Sequence, residues 1–146
     1  MKLFFLVLLG FCALHVNAQS NRIIGIWTTP LEDTKVEIYQ KGSRFYGKII
    51  WLTPNVDKNG KPLTDTENPD PGKRQQKLEG LGIISDLVYS DQKWKGNIYD
   101  PESGKTYSTL IRLVDENTLE LTGYVGLPVF GRTEVWRRAS DVGSSR

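Results

Sequence analysis

The segment KVEIYQKGSRFYGKIIWL (residues 35–52) contains the pattern that decides the fold. Apolar Val36 and Ile38 alternate with polar neighbours, as in a strand with one face buried and the other in water. KGSR (residues 41–44) then supplies a turn with a glycine, and alternation resumes after it. The second run has a predicted inward face made of Phe45, Gly47, Ile49 and Trp51. Two alternating runs joined by a short turn predict an antiparallel hairpin.

Six further segments have the same character. They are IGIWTT (24–29), LGIISDLVY (81–89), KWKGNIYD (93–100), TYSTLIRLV (106–114), TLELTGYVG (118–126) and GRTEVWRR (131–138). The apolar spacing of LEGLGIISDLVY (78–89) also fits a short helix, but its two glycines and its ISDLVY ending favour a strand. About eight antiparallel strands close into a barrel, which removes exposed sheet edges. We predict an all-β fold: a single antiparallel up-and-down barrel of about eight to nine strands with one long loop.

The N-terminus has the parts of a secretory signal peptide. Lys2 supplies the positive charge, residues 3–14 are an unbroken apolar run, and residues 16–18 end in the small residue used for cleavage. The apolar run is shorter than the roughly 20 residues that span a bilayer, which favours cleavage over a retained anchor. We expect residues 1–18 to be removed and residues 19–146 to be exported as a single β-barrel domain, periplasmic or secreted.

The predicted signal peptide contains the only Cys, His and Met of the chain: Cys12, His15 and Met1. The exported domain would then have no disulfide, no Cys nucleophile, no Ser-His-Asp triad and no His/Cys metal site. Loss of Lys2 lowers the formal net charge from +2 by one unit, so the charge favours neither nucleic acid nor an anionic membrane surface. We expect no cofactor, no metal, no nucleic-acid partner, no integral membrane span, and a monomer.

The two ends of the predicted barrel carry paired aromatic and basic motifs. GIW (25–27) and WRR (136–138) resemble the ends of lipocalin-type barrels. In those barrels a Trp on the first strand plugs the floor, and an Arg from the last strand stacks on its ring. The residues expected to close this barrel are Gly25, Trp27, Trp136 and Arg137.

Longer motifs extend this resemblance over about Arg22–Arg138. They are VEIYQKGSRFYGKIIWL (36–52), ENPDPGKRQQKLEGLGII (67–84), GNIYDPESGKTYS (96–108) and TGYVGLPVFGRTEVWRR (122–138). Together with GIW they are similar to one family of small exported bacterial proteins, domain of unknown function 2147. The resemblance implies a lipocalin-like barrel in the periplasm or outside the cell. It implies no activity, because the family has none assigned.

The stretch TENPDPGKRQQKLEG (66–80) belongs to a connection that is longer than most structureless loops. Its Asn68, Asp70 and Arg74 carry an amide, a carboxylate and a guanidinium, which could hold a polar ligand group at the barrel mouth. The alternative is that Asn-Pro and Asp-Pro-Gly form turns, with Asp70 paired to an arginine of the rim.

Other candidate ligand contacts come from IYDPESGKTY (98–107) and the start of the last predicted strand. They are Tyr99, Asp100, Lys105, Tyr107 and Arg132. The alternatives are a turn that begins at Asp100, and a cross-strand ion-pair ladder on the face that Arg132 shares with Glu134. NVDKNGKPLTDTE (55–67) partly matches a calcium loop, but Thr66 stands where the bidentate Glu belongs, so we expect a turn there instead.

Three functional hypotheses follow. The first is an exported barrel that binds a small amphipathic or polar ligand through the polar loop residues at its mouth. The alternative is an envelope protein of interaction or stress response without a ligand, which a packed interior or an exposed apolar patch would favour. The third is an enzyme that uses Asp70 and Asp100 in a glycosidase-like mechanism. It is the least favoured, because the exported domain lacks His and Cys.

Overall fold

The computed structural model describes residues 17–140. The predicted signal peptide, apart from its last two residues, lies outside the described residues. Eight antiparallel strands form one closed barrel in which each strand pairs with its neighbours in sequence and the first pairs with the last. They are β1 (Gly25–Thr28), β2 (Thr34–Lys41), β3 (Arg44–Leu52), β4 (Gly82–Ser90), β5 (Lys93–Asp100), β6 (Lys105–Asp115), β7 (Thr118–Tyr124) and β8 (Arg132–Arg138). The predicted up-and-down barrel is confirmed, with eight strands.

The two ends of the barrel differ because up-and-down connections alternate between them. One end, the closed end, has the two-residue turns 42–43, 91–92 and 116–117. The other, the loop end, has the longer connections 29–33, 53–81, 101–104 and 125–131. All eight predicted ligand contacts therefore belong to the loop end or to the strands that reach it.

A short 3₁₀ helix (Asn21–Ile23) precedes β1 and covers the closed end. Ile23 is fully buried, and the Trp27 indole N–H donates to its carbonyl oxygen at 2.9 Å. The Trp94 indole N–H donates to the Ser20 carbonyl oxygen at 3.1 Å. Trp27 and Trp94 thus each satisfy the indole N–H on the segment that plugs this end.

Buried apolar side chains from all eight strands, together with Ile23 of the 3₁₀ helix, form the core. They are Ile23, Trp27, Val36, Ile38, Phe45, Ile49, Ile83, Ile84, Leu87, Trp94, Ile111, Leu119, Leu121 and Trp136. Most follow the period of two that the sequence shows, because alternate residues of a strand face the same side. A barrel of eight strands is just wide enough for such side chains to fill it.

The segment that also fitted a helix forms β4, as predicted. Its pairing with β5 shifts register between Ser85 and Val88, around Asp86, whose φ of 56° is typical of a bulge. A Cβ at Gly96, on the facing strand, would come within 2.5 Å of the Ser85 carbonyl oxygen. Glycine at this position therefore lets the bulged strand approach its neighbour.

Trp51 does not join the core, contrary to the predicted alternation of β3. The β2–β3 register shifts between Lys35 and Val36, so that Val36 pairs with Ile49 and Lys35 with Trp51. The extra residue Ile50 reverses the alternation beyond it. Trp51 is 39% exposed, and the Lys35 ammonium lies 5.2 Å from its ring centroid.

Arg138 covers the buried Trp27 at the junction of the first and last strands. Its guanidinium carbon lies 4.2 Å from the ring centroid of Trp27. Its three nitrogens donate to the carbonyl oxygens of Arg22, Ile24 and Glu116, each at 2.8 Å. One guanidinium thus ties together β8, the segment before β1 and the β6–β7 turn.

The closing arginine is therefore Arg138, and not Arg137 as predicted from the WRR motif. Strand alternation puts Arg138 on the row of buried Trp136, while Arg137 faces outward. Gly25 has a φ of 144°, and a Cβ there would collide with the Arg138 guanidinium, so glycine is needed beside it. The Trp136 indole N–H donates to Glu134 at 3.0 Å.

Candidate functional site

The long connection 53–81 is anchored by a buried carboxylate. Asp65 is fully buried and accepts hydrogen bonds from the Tyr99 hydroxyl and the Asn68 amide, both at 2.7 Å. Its own N–H donates to the Gln76 carbonyl oxygen at 2.8 Å. Tyr99 lies on the row of β5 opposite to buried Trp94, so the connection is attached to the outer face of the barrel wall. Asp65 was not predicted, because a single Asp in a turn-rich run carries no signal of its own.

Tyr99 is a hydrogen-bond donor held in its protonated form. Burial, reinforced by the hydrogen bond to the Asp65 carboxylate, raises the pKa of Tyr99 to about 12. The phenol therefore stays neutral well above physiological pH. In this arrangement Tyr99 clamps the connection to the wall rather than presenting its hydroxyl to a ligand.

The other predicted residues of this connection stabilise its turns. The Asn68 side-chain oxygen accepts from the Asp70 N–H at 2.9 Å, and Asp70 accepts from the Gly72 N–H at 2.9 Å. The Arg74 guanidinium donates to the Asn68 carbonyl oxygen at 2.8 Å. Among residues 17–140 Asp70 has no ion pair with an arginine, so its interactions are those of a cap on the short 3₁₀ helix Pro71–Lys73.

Asp100 shapes the β5–β6 turn in the same way. Its carboxylate accepts from the Glu102 N–H at 3.0 Å and from the Ser103 hydroxyl at 2.6 Å. Gly104 in this turn has a φ of 71°, and a Cβ there would collide with the Glu67 carbonyl oxygen. The turn therefore packs directly against the long connection.

Three predicted residues remain, and we call them the mouth cluster: Lys105, Tyr107 and Arg132. No hydrogen bond or ion pair links any of their side chains to another group within residues 17–140. The alternative cross-strand ladder is not formed, because neither Arg132 nor Glu134 has an ion pair within residues 17–140. Glu134 instead accepts from the Trp136 indole N–H.

The mouth cluster lies on inward-facing rows of β6 and β8. Lys105 and Tyr107 share the row of buried Thr109 and Ile111, and Arg132 shares the row of Trp136. Gly123 of β7 pairs with both Thr109 and Arg132, so a residue without a side chain separates the two rows. A Cβ at Gly123 would lie 3.8 Å from Ile98 and 4.0 Å from the Tyr107 Cβ. The cluster therefore lies around a position without a side chain, at the loop end of the filled core.

Five large apolar side chains are exposed on two adjacent connections of the loop end, and we call them the apolar rim. Leu31 is 82% exposed in the β1–β2 connection, and the other four lie in the β7–β8 connection. Their exposed fractions are Val125 77%, Leu127 61%, Val129 79% and Phe130 81%. The alternating pattern predicts a strand over residues 118–126, and no motif in the sequence predicts a binding role for residues 125–131. Exposed apolar groups of this size and density mark interaction surfaces in soluble proteins.

Two shallow depressions of about 370 and 200 Å³ lie on the outer surface where β1 meets β8. None of the eight predicted ligand contacts lines either depression. No helix within residues 17–140 is both long and apolar enough to cross a bilayer.

Comparison with known proteins gives a family and a structural relative. Residues 25–138 match the family DUF2147, described as an uncharacterized protein conserved in bacteria. Protein HP1028 from the human pathogen Helicobacter pylori, described as belonging to the lipocalin family, is 28% identical, with a TM-score of 0.70 over 82% of this chain and 84% of that chain. No curated protein matches. The chain is thus a lipocalin-like barrel that belongs to the DUF2147 family.

Proposed function

We propose that this protein is an exported binding barrel that holds a small amphipathic anion at its loop end. The lipocalin-like fold supports a binding role, because barrels of this type commonly bind small ligands. The observation that carries the proposal is the mouth cluster: two cations and a phenol, all without partners in residues 17–140, on inward rows around Gly123.

The chemistry of the mouth cluster favours an anionic group. Lys105 and Arg132 are cationic at neutral pH, and a guanidinium matches the geometry of a carboxylate or phosphate. The Tyr107 hydroxyl adds a neutral donor. Such charge-assisted hydrogen bonds contribute about 1.5–3 kcal/mol each.

The filled interior supports a position outside the barrel for the apolar part of the proposed ligand. Because side chains occupy the barrel, an apolar chain has no room beneath the mouth cluster. The apolar rim is also at the loop end and reaches the Arg132 side of the cluster, since Phe130 precedes Arg132 by two residues. Covering exposed apolar surface contributes about 25 cal/mol per Å², so a ligand with an apolar tail gains affinity by lying across the rim.

A fluorescent carboxylate probe, dansyl-labelled undecanoate, tests the proposal. We expect saturable binding by the wild type, and affinity at least tenfold weaker in Lys105→Ala and in Arg132→Ala. The control is Arg112→Ala, which removes a guanidinium that pairs with Glu120 on the barrel wall and should leave affinity unchanged. The corresponding neutral alcohol should bind more weakly than the carboxylate. Equal binding by wild type and both mouth variants would refute an anion site at the mouth.

Export is part of the proposal and rests on the N-terminal sequence. The charged residue, short apolar run and small residue at position 18 have the pattern of a cleaved signal peptide. N-terminal sequencing of the protein recovered from its native cells should begin at Gln19. Recovery of the intact N-terminus from the cytoplasm would contradict export.

An enzymatic role receives no support from the two predicted carboxylates. Asp70 and Asp100 both accept hydrogen bonds from N–H groups of their own turns. The second candidate function is protein interaction, and the exposure of the apolar rim favours it.

A further inference from the structure

The strand pairing that closes the barrel, between β1 and β8, is shorter than the pairing of β8 with β7. β8 pairs with β7 at six positions, from Arg132 to Arg137, but with β1 at only two, Arg137 and Arg138. β1 ends at Thr28, so the part of β8 that approaches the loop end has no strand on its second side.

Two hydrogen bonds show which backbone groups of β8 have no strand partner on the β1 side. The Arg138 N–H donates to Asn117 on the β7 side, and the Ala139 N–H donates to Ile26 on the β1 side, both at 2.8 Å. Because successive residues of a strand direct their N–H and C=O groups to opposite sides, Thr133 and Val135 point toward the β1 side. Pairing on that side stops at Arg137, so their two N–H and two C=O groups have no strand partner within residues 17–140.

The turn after β1 keeps this edge open. The chain leaves the sheet after Thr28, and the Glu32 N–H donates to the Thr29 carbonyl oxygen at 2.9 Å. Pro30 would stand near Val135 if β1 continued, and it has no N–H to donate. The 200 Å³ depression lies between the two segments, with Pro30 on one side and Val135 on the other.

We propose that the Thr133–Val135 edge of β8 binds an extended segment of a partner protein, which adds to the barrel as a strand. The unpaired groups repeat every second residue, about 6.8 Å apart, which is the spacing that another strand supplies. A small molecule or a lipid surface does not offer donors and acceptors in that alternation. This surface is separate from the mouth cluster, which faces the inside of the barrel.

The residues near the β8 edge indicate which side chains the bound segment would carry. Two residues of the apolar rim, Val129 and Phe130, lie just before the start of β8. Apolar side chains at one end of the bound segment would therefore pack against them. Toward the other end, the 370 Å³ depression is lined by three cations, Lys35, Arg137 and Arg138, and by one carboxylate, Glu32, so it keeps an excess of positive charge. None of these four side chains forms an ion pair within residues 17–140. The segment therefore carries apolar residues at one end and an acidic residue at the other.

A displayed library of random octapeptides, selected on the full immobilised protein, tests the proposal. We expect enriched peptides with apolar residues at one end and an Asp or Glu at the other. Val135→Pro should weaken a selected peptide at least tenfold, because proline removes one edge N–H without removing a β7 bond. Val135→Ala is the matched control, and it should bind within about threefold of wild type because it keeps the N–H.

N-methylation of the selected peptide makes the test independent of any effect of proline on folding. Methyl groups on the amides that face β8 should abolish binding to the wild-type protein, and methyl groups on the alternate amides should not. Equal tolerance at all positions, no enriched peptide, or full binding to Val135→Pro would overturn the proposal. So would a dimer of the free protein that Val135→Pro dissociates, since the occupant of the edge would then be a second copy. Binding of dansyl-labelled undecanoate should be unchanged in Val135→Pro.

Discussion

Two connections of the loop end are built in opposite ways. In the connection 53–81 the side chains predicted as ligand groups, Asn68, Asp70 and Arg74, form hydrogen bonds within their own loop, and the buried Asp65 accepts from one of them. In the connection 125–131 large apolar side chains remain in solvent. The polar side chains of the first connection stabilise its own conformation, whereas the apolar side chains of the second remain available to a partner. A turn-rich polar loop is therefore the scaffold here, and the apolar loop is the candidate contact surface.

The largest expected effect is on the clamp of the first connection. Asp65→Ala leaves the Tyr99 hydroxyl and the Asn68 amide without their acceptor, and we expect a loss of about 2–4 kcal/mol in the free energy of unfolding. Asp70→Ala, which removes only an exposed cap, should cost about 1 kcal/mol. Urea unfolding followed by tryptophan fluorescence measures both. Equal costs would show that Asp65 is not the anchor.

A second test compares glycines in the two kinds of connection. Gly104→Ala forces a Cβ into the Glu67 carbonyl oxygen at a positive φ, and we expect a cost of about 2–3 kcal/mol. Gly126 in the apolar connection also has a positive φ, of 80°, but a Cβ there meets open space. Gly126→Ala should therefore cost only about 1 kcal/mol. Both variants introduce backbone strain, but only Gly104→Ala adds a steric clash, so we expect it to have the lower thermal midpoint. Similar midpoints would contradict the packing of the β5–β6 turn against the connection 53–81.

The Tyr99 clamp should be visible in the dependence of stability on pH. Its folded-state pKa of about 12 lies above the unfolded value of 10.0, so the folded protein keeps the proton that the unfolded chain releases. The stabilisation is complete below pH 10 and is lost as the pH rises toward 12. Urea midpoints measured across this range should fall for wild type and fall less for Tyr99→Phe. If the urea midpoints of the two proteins fell in parallel with pH, a raised pKa of Tyr99 would be contradicted.

The smallest effect on stability is expected in the apolar rim. Phe130→Ser removes a side chain that is 81% exposed, so the free energy of unfolding should change by no more than about 0.5 kcal/mol. Affinity for dansyl-labelled undecanoate should nevertheless decrease. Calorimetry and fluorescence titration on the same sample check both results. A large loss of stability would show that Phe130 packs in the fold rather than serving as contact surface.

The fold was predictable from sequence because strand periodicity is local. Val36 and Ile38 show their buried face in the sequence itself, and the same alternation gave all eight strands. One error arose where an extra residue breaks the alternation, because the β2–β3 bulge turned Trp51 outward. The other lay in the closing motif, where alternation from Trp136 favours Arg138 over the predicted Arg137.

The candidate site was less predictable because the role of each residue depends on partners that are far away in the sequence. The 34-residue separation between Asp65 and Tyr99 hides their bond from any local pattern. The sequence placed Lys105, Tyr107 and Arg132 among eight candidates, but only the three-dimensional arrangement separates these unpaired side chains from those that bond within loops. Exposure of Phe130 likewise depends on what the fold leaves uncovered.

The central claim is that the loop end binds through the mouth cluster and not through the connection 53–81. Titration of dansyl-labelled undecanoate into Arg132→Ala and Arg74→Ala tests it most directly, because each variant removes one guanidinium from the loop end. We predict that Arg132→Ala lowers affinity at least tenfold and that Arg74→Ala keeps the wild-type affinity. Loss of binding in Arg74→Ala with full binding in Arg132→Ala would contradict the claim.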